Sequence, residues 1–224
     1  MKNSSIVTFS LVTTTILVAG MATALADGDD ASTTRRAMSP PSNTLEIAVA
    51  GVYSQGTGKL GGDMQSFEDH AGPGGGAEMS VGWRATPNLL LGGYATLSGF
   101  SNDADKNNGA VTASAGYKAD WHFLPAASVD PWVSVGAGLK FMGIEDGAND
   151  RALTGAEARI QIGADYRISP SFAFGPVIGA GATVYTHEYD DTMSDEAQEI
   201  DDKKVNWNFS AGLQGRFDAF GSNR

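Results

Sequence analysis

Three histidines, a glycine-rich lysine segment and a run of acids are the groupings in this 224-residue chain whose residue types could do chemistry. A histidine acting as a general base needs a nucleophile or carboxylate within hydrogen-bond reach. His122 has Asp120 two positions before it in an alternating segment, so both lie on one strand face, where a hydrogen-bonded structural histidine is the expected outcome. His70 and His187 are followed two residues on by Gly72 and Tyr189, which are not nucleophiles paired to a base. Gly56-Thr57-Gly58-Lys59-Leu60 lacks the phosphate-loop pattern, since Tyr53 stands where the first glycine belongs and Leu60 where Ser or Thr must follow the lysine. Together with Gly72 to Gly76 it reads as a flexible surface loop. Thr186 to Lys204 carries Glu188, Asp190, Asp191, Asp195, Glu196, Glu199, Asp201 and Asp202, at spacings that match no calcium loop, so a solvated acidic loop is expected. The expectation is no catalytic residue, no metal and no cofactor.

A different set of charges has order. From Thr154 to Ile168, Ala156, Ala158, Ile160, Ile162, Ala164, Tyr166 and Ile168 alternate with Glu157, Arg159, Gln161, Gly163, Asp165 and Arg167. A period of two gives a β-strand with two unlike faces. Seven other segments repeat the pattern: 44–53, 75–85, 89–100, 109–123, 131–144, 172–185 and 205–217. Pro176 is the weak point of the seventh strand, since proline donates nothing to a ladder. Turns at 86–88, 124–130 and 169–171 are short, and longer polar connections alternate with them. The fold class expected is all-β: an eight-stranded antiparallel up-and-down transmembrane β-barrel.

The amino terminus supports export. Met1 to Ala26 has Lys2, an apolar stretch from Ile6 to Ala19 and Ala24-Leu25-Ala26, the form of a signal peptide over 1–26. Residues 27–43, rich in Asp, Ser, Thr and Pro, read as a disordered periplasmic linker, 44–217 as the barrel and 218–224 as a C-terminal tail. Without cysteine, an exported chain depends on strand pairing and burial alone. The net charge of −11 excludes a nucleic-acid partner. The mean hydropathy of −0.17 suits a soluble barrel and a membrane barrel alike, because a barrel faces lipid with every second residue only.

Which face meets water decides between these two. Trp83, Tyr117, Trp121, Phe123, Tyr166, Phe172 and Phe217 gather toward the short-turn ends of the apolar face, where an interfacial girdle belongs. The polar face carries Glu46, Glu78, Asp120, Glu157 and Asp165 against Arg84, Lys118, Lys140, Arg159, Arg167 and Arg216, near balance in a strongly acidic chain. Such balance is what an enclosed lumen needs, since an unpartnered charge there costs several kcal/mol. Strand direction puts Glu78, Lys140, Glu157 and Arg159 in the outer half and Glu46, Arg84, Asp120, Asp165, Arg167 and Arg216 near the short-turn rim. Gly92, Thr96, Gly175, Gly179 and Gly181 leave room for these long side chains. Eight strands enclose about the space that side chains fill, so the lumen is expected to be plugged by paired charges.

Eight strands, asymmetric loops and a strand ending in Phe217 resemble the small outer-membrane barrel superfamily of the OmpA membrane domain, OmpX, the opacity-type proteins and OmpW, over residues 44 to 217. Pro131-Trp132-Val133-Ser134-Val135-Gly136-Ala137-Gly138-Leu139 is similar to a Pro-Tyr-Val-Gly-Ala-Gly run in opacity-type and OmpW-like proteins. The resemblance implies the outer membrane of a Gram-negative bacterium, with lipid and lipopolysaccharide as surroundings and insertion by the barrel assembly machinery. That machinery reads an alternating last strand ending in Phe, which Trp207, Phe209, Ala211, Leu213 and Phe217 supply, although Asp218 to Arg224 follow. OmpW-like proteins are associated with an apolar lumen, whereas the lumen here is read as charged. A lipid A deacylase of the PagL type would carry His and Ser two residues apart, which no histidine here satisfies, and omptin-like proteases have ten strands. The expected role is therefore a non-enzymatic, monomeric barrel with structural or surface-interaction duties, surface ligands meeting loops 54–74 and 186–204. A narrow gated channel for small solutes is the alternative, and a lipid-modifying enzyme using His122 or His187 is the weakest reading.

Overall fold

The computed structural model describes residues 43–61, 64–67, 72–101, 108–146, 149–169, 171–190 and 194–219. The expected signal peptide, nearly all of the linker, and the tail beyond Ala219 lie outside the described residues. Among the described residues eleven strands follow one another: β1 (Thr44–Thr57), β2 (Lys59–Gly61), β3 (Met64–Ser66), β4 (Gly74–Arg84), β5 (Leu89–Ser101), β6 (Asn108–His122), β7 (Val129–Asp146), β8 (Asn149–Ser169), β9 (Phe172–Asp190), β10 (Ser194–Glu199) and β11 (Val205–Ala219). Eight of them form the wall, in the order β9-β11-β1-β4-β5-β6-β7-β8, and pairing of β8 with β9 closes it. Every pairing in the wall is antiparallel. The wall is an up-and-down barrel with β1 and β11 meeting at the seam.

Alternation sets which way each side chain points. Along β1 the burial pattern strictly alternates from Thr44 to Ala50, with Glu46, Ala48 and Ala50 buried and Leu45 and Val49 exposed. The same parity runs around the wall, so the outer face presents Val81, Trp83, Leu97, Val111, Leu139, Ile160, Ile178 and Leu213. A soluble barrel would bury these side chains, so an outward apolar belt is the surface that lipid requires. Tyr166 and Phe174 stack edge to face on it, their centroids 6.1 Å apart. The girdle aromatics Trp83, Trp121, Phe123, Tyr166, Phe172 and Phe217 are all exposed, as is Tyr117 four positions along β6 from Trp121.

Two regions differ from the pattern-based expectation. The segment read as a flexible loop continues β1 to Thr57 and then forms the β2–β3 hairpin, with Lys59 opposite Ser66. Gly58 and Gly61 there take positive φ of 102° and 100°, which side chains with a Cβ rarely adopt. The apolar Leu60 and Phe67 explain the order, because both are buried. The acidic loop likewise contributes to strands: β9 runs on to Asp190, and β10 pairs back on it with Glu199 opposite His187. At the carboxyl end, β11 extends two residues beyond Phe217, so Asp218 and Ala219 belong to the wall rather than to a tail.

Candidate functional site in the barrel lumen

The inward charges form two layers. At the short-turn rim, Arg216 is the hub: its Nη1 lies 2.7 Å from Glu46 Oε1 and 3.3 Å from Asp120 Oδ2, and its Nε 3.0 Å from Asp165 Oδ2. The guanidinium stacks over the Trp132 ring at 4.3 Å, and Trp132 Nε1 donates to Asp165 Oδ1 at 3.0 Å. Arg84 pairs with Glu46 and approaches Asp218, which Arg167 Nη1 meets at 2.7 Å. Lys118 Nζ is 3.0 Å from Asp120 Oδ2. These groups come from β1, β4, β6, β7, β8 and β11, so the layer ties most of the wall together. Each charge is buried, and each has at least one opposite charge, which offsets the loss of hydration.

His122 completes this rim. Its Nδ1 is 2.7 Å from Asp130 Oδ2, and its Nε2 3.4 Å from Arg216 Nη1, so a proton on Nδ1 satisfies both contacts. Asp130 also accepts from the Leu124 backbone N–H at 3.0 Å, fixing the β6–β7 turn. Among the described residues the inward set, with Asp130 and Asp218, holds seven acids against six bases, and Asp130 accepts the His122 Nδ1–H. Both acids fall in stretches read from the pattern as turn and tail. Their parity was the available signal, since Asp218 is two positions from Arg216, and Asp130 two from Trp132.

The outer layer is sparser. Arg159 pairs with Glu78 and stacks over the Tyr94 ring at 4.3 Å. Gln161 Nε2 donates to the same Glu78 oxygen at 3.0 Å, and Lys140 Nζ stands 3.8 Å from Glu157 Oε1. Glycines opposite make space, since a Cβ on Gly181 would come within 2.9 Å of Glu157 Oε1. Tyr94 and Trp132, the aromatic partners of the two arginines, share parity with the inward charges but carry no charge to mark them.

Above the outer layer the lumen changes character, which corrects the expectation of a plug made from charges alone. Inward-facing Phe100, Ala110, Met142, Ile144, Leu153 and Tyr185 from the wall meet Leu60, Phe67 and Ile200 from the connections in one buried apolar cluster. Phe67 packs edge to face on Phe100 at 5.2 Å and lies against Gly56, where a Cβ would fall 2.5 Å from the ring. Tyr185 Oη donates to Met142 Sδ at 3.4 Å. The cap is apolar because the parity continues while the residue type changes near the long-loop rim. Outside the wall, the Glu199 carboxylate accepts from Lys203 Nζ at 2.7 Å, which holds its pKa below the ordinary value.

Trp207, Phe209, Leu213 and Phe217, expected to mark the assembly signal, stand outward on β11 and are exposed. His187 is exposed, with its Nδ1 2.9 Å from Thr186 Oγ1, and is distant in sequence and strand position from His122 at the other rim.

A closed eight-stranded antiparallel barrel with an apolar outer belt and a filled lumen defines the class: this is the fold of the small outer-membrane β-barrels. No family model matches the chain, and no curated protein sequence matches it. Among solved structures, Neisserial surface protein A is similar at a TM-score of 0.54 and 16% identity, covering 77% of this chain and 96% of that one. The N-terminal β-barrel domain of Pseudomonas aeruginosa OprF matches at a TM-score of 0.44 and 16% identity, covering 79% of this chain and 99% of its own. Ail, the attachment invasion locus protein of Yersinia pestis, matches at 0.44 and 13% identity, covering 79% and 99%. At 16% identity the likeness to Neisserial surface protein A is one of fold alone.

Proposed function

We propose that this chain is a non-enzymatic barrel of the Gram-negative outer membrane, closed to solutes, whose role is structural or lies in surface interaction. The observation that carries the reading is the pair of barriers in series, ion-pair layers below and an apolar cap above. A solute crossing the lumen would have to separate buried ion pairs and also dislodge Phe67, Leu60 and Ile200, and each step opposes passage. Its loops favour surface interaction: β7, β8 and β9 span 18, 21 and 19 residues against 11 for β4, so one side of the wall stands taller and bears the acidic β10. Lipid and lipopolysaccharide are the expected surroundings of the apolar belt, and the alternating aromatics of β11 suit recognition by the barrel assembly machinery.

Fractionation tests the location. The folded chain should sediment with outer membranes and change its gel migration on boiling, whereas recovery in a soluble fraction would overturn the reading. Planar-bilayer recording tests closure: wild type and Arg159→Glu should both pass no current. Steady unitary currents from wild type would favour the narrow channel instead.

A further inference from the structure

The top of the lumen is closed by two pieces that do not belong to the wall. One is the β2–β3 hairpin, a two-stranded sheet of its own, which brings Leu60 and, just after it, Phe67. The other is the strap from Ile200 to Lys204 between β10 and β11, in which Ile200 is the one apolar residue. All three side chains are buried in one cluster with Phe100, Met142 and Tyr185 of the wall.

The two pieces abut. A Cβ on Gly61 would stand 2.9 Å from the Asp202 carbonyl oxygen and 3.2 Å from Ile200 Cγ2, and one on Gly58 would stand 3.1 Å from the Val205 carbonyl oxygen, so the hairpin backbone lies directly on the strap and on the start of β11. At their roots Asn206 Nδ2 donates to the Thr57 carbonyl at 3.0 Å. The strap has few other holds. Its Ile200 N–H donates to the Thr186 carbonyl at 3.0 Å, and its ion pairs Lys203–Glu199 and Lys204–Asp202 are exposed, where water and salt screen them. We propose that hairpin and strap form a two-piece lid over the lumen that opens and closes as one unit. Ile200 loses its cover when the hairpin lifts, and Leu60 and Phe67 lose their flank when the strap does. Opening uncovers the apolar side chains of the wall toward the long-loop side and leaves strand pairing and the charge layers below in place. A partner gripping either connection therefore moves both.

Amide hydrogen exchange in the full chain, placed in lipid nanodiscs, tests the coupling. It is read at Ile200 and at Phe67, whose N–H donates to the Gly58 carbonyl at 2.8 Å. In wild type the two amides should be protected equally, within about twofold, because one opening exposes both, and protection differing by about tenfold or more overturns the shared lid. Phe67→Ala should speed exchange at Ile200 several-fold, and Ile200→Ala should do the same at Phe67, while the amides of Val135 and Ile160 in the wall keep their wild-type rates. A variant that loosens only its own piece overturns the coupling, and faster exchange in the wall as well would mean that the barrel itself opens, not a lid. Gly61→Ala, which wedges the pieces apart, should speed both amides together, and unchanged rates at both overturn the contact between them. Heat-modifiable migration shows that each variant has folded, and the wild-type comparison needs no variant.

Discussion

Arg216 on the last strand reaches Glu46 on the first, Nη1 to Oε1 at 2.7 Å, directly across the seam where the barrel closes. The same guanidinium also holds Asp120 and Asp165, from the middle of the chain, so it finds its partners only when all four strands are in place. The full set of Arg216 contacts forms only on closure, whereas Arg84–Glu46 and Lys118–Asp120 need no more than one strand or two neighbouring ones.

Removing that hub should be costly. Arg216→Met would leave Glu46, Asp120 and Asp165 facing one another with fewer cations, a loss of about 3–5 kcal/mol for a buried group that strands its partners. Urea titration of the folded fraction, read by gel migration without boiling, measures it. A midpoint equal to wild type would show that the hub adds nothing to stability.

The outer layer offers a cleaner pair. Arg159→Met leaves Glu78 with only the Gln161 amide, and adding Glu78→Gln removes the uncompensated charge. The double variant should be more stable than Arg159→Met alone, with a coupling energy of about 1–3 kcal/mol, since contacting residues in one network are not additive. Additive losses in the same urea assay would contradict direct pairing.

Alternation made the wall legible from residues alone. Glu157, Arg159, Asp165 and Arg167 share one face by parity, and parity does not depend on what lies across the lumen. What lies across is not legible: Arg159 meets Glu78 from a strand 81 residues earlier, and the choice depends on shear and side-chain reach. The cap escaped for another reason. Phe100, Met142 and Ile144 sit on the face that carries charges lower down, so a rule of polar residues inward fails where the loops turn in and exclude water. Asp218 escaped because Phe217 looked like the end of a strand that in fact continues.

Phe67 anchors the cap from outside the wall, so its loss should open the cap and spare the barrel. Phe67→Ala should make residues near the β2–β3 hairpin several-fold more sensitive to protease added outside, while heat-modifiable migration persists. Deleting a buried phenylalanine costs about 3–5 kcal/mol where the site cannot collapse, and here the hairpin is free to detach instead. Equal nicking of variant and wild type would mean that the cap holds without Phe67.

Ile160 distinguishes the two ways of turning this barrel. It is 49% exposed, stands outward near the middle of β8, and pairs with Val135 and Ala180, so its neighbours on that face are also apolar. Ile160→Arg places a cation against the belt, where arginine near the midplane costs about 2–4 kcal/mol. Its neighbour Gln161 points inward to Glu78, so the same position cannot find a carboxylate without turning the strand over. The variant should therefore insert poorly and unfold at lower urea, while Ile160→Leu behaves as wild type. Arg on a wet outer face would cost nothing, so unchanged insertion and an unchanged urea midpoint would show that this face meets water.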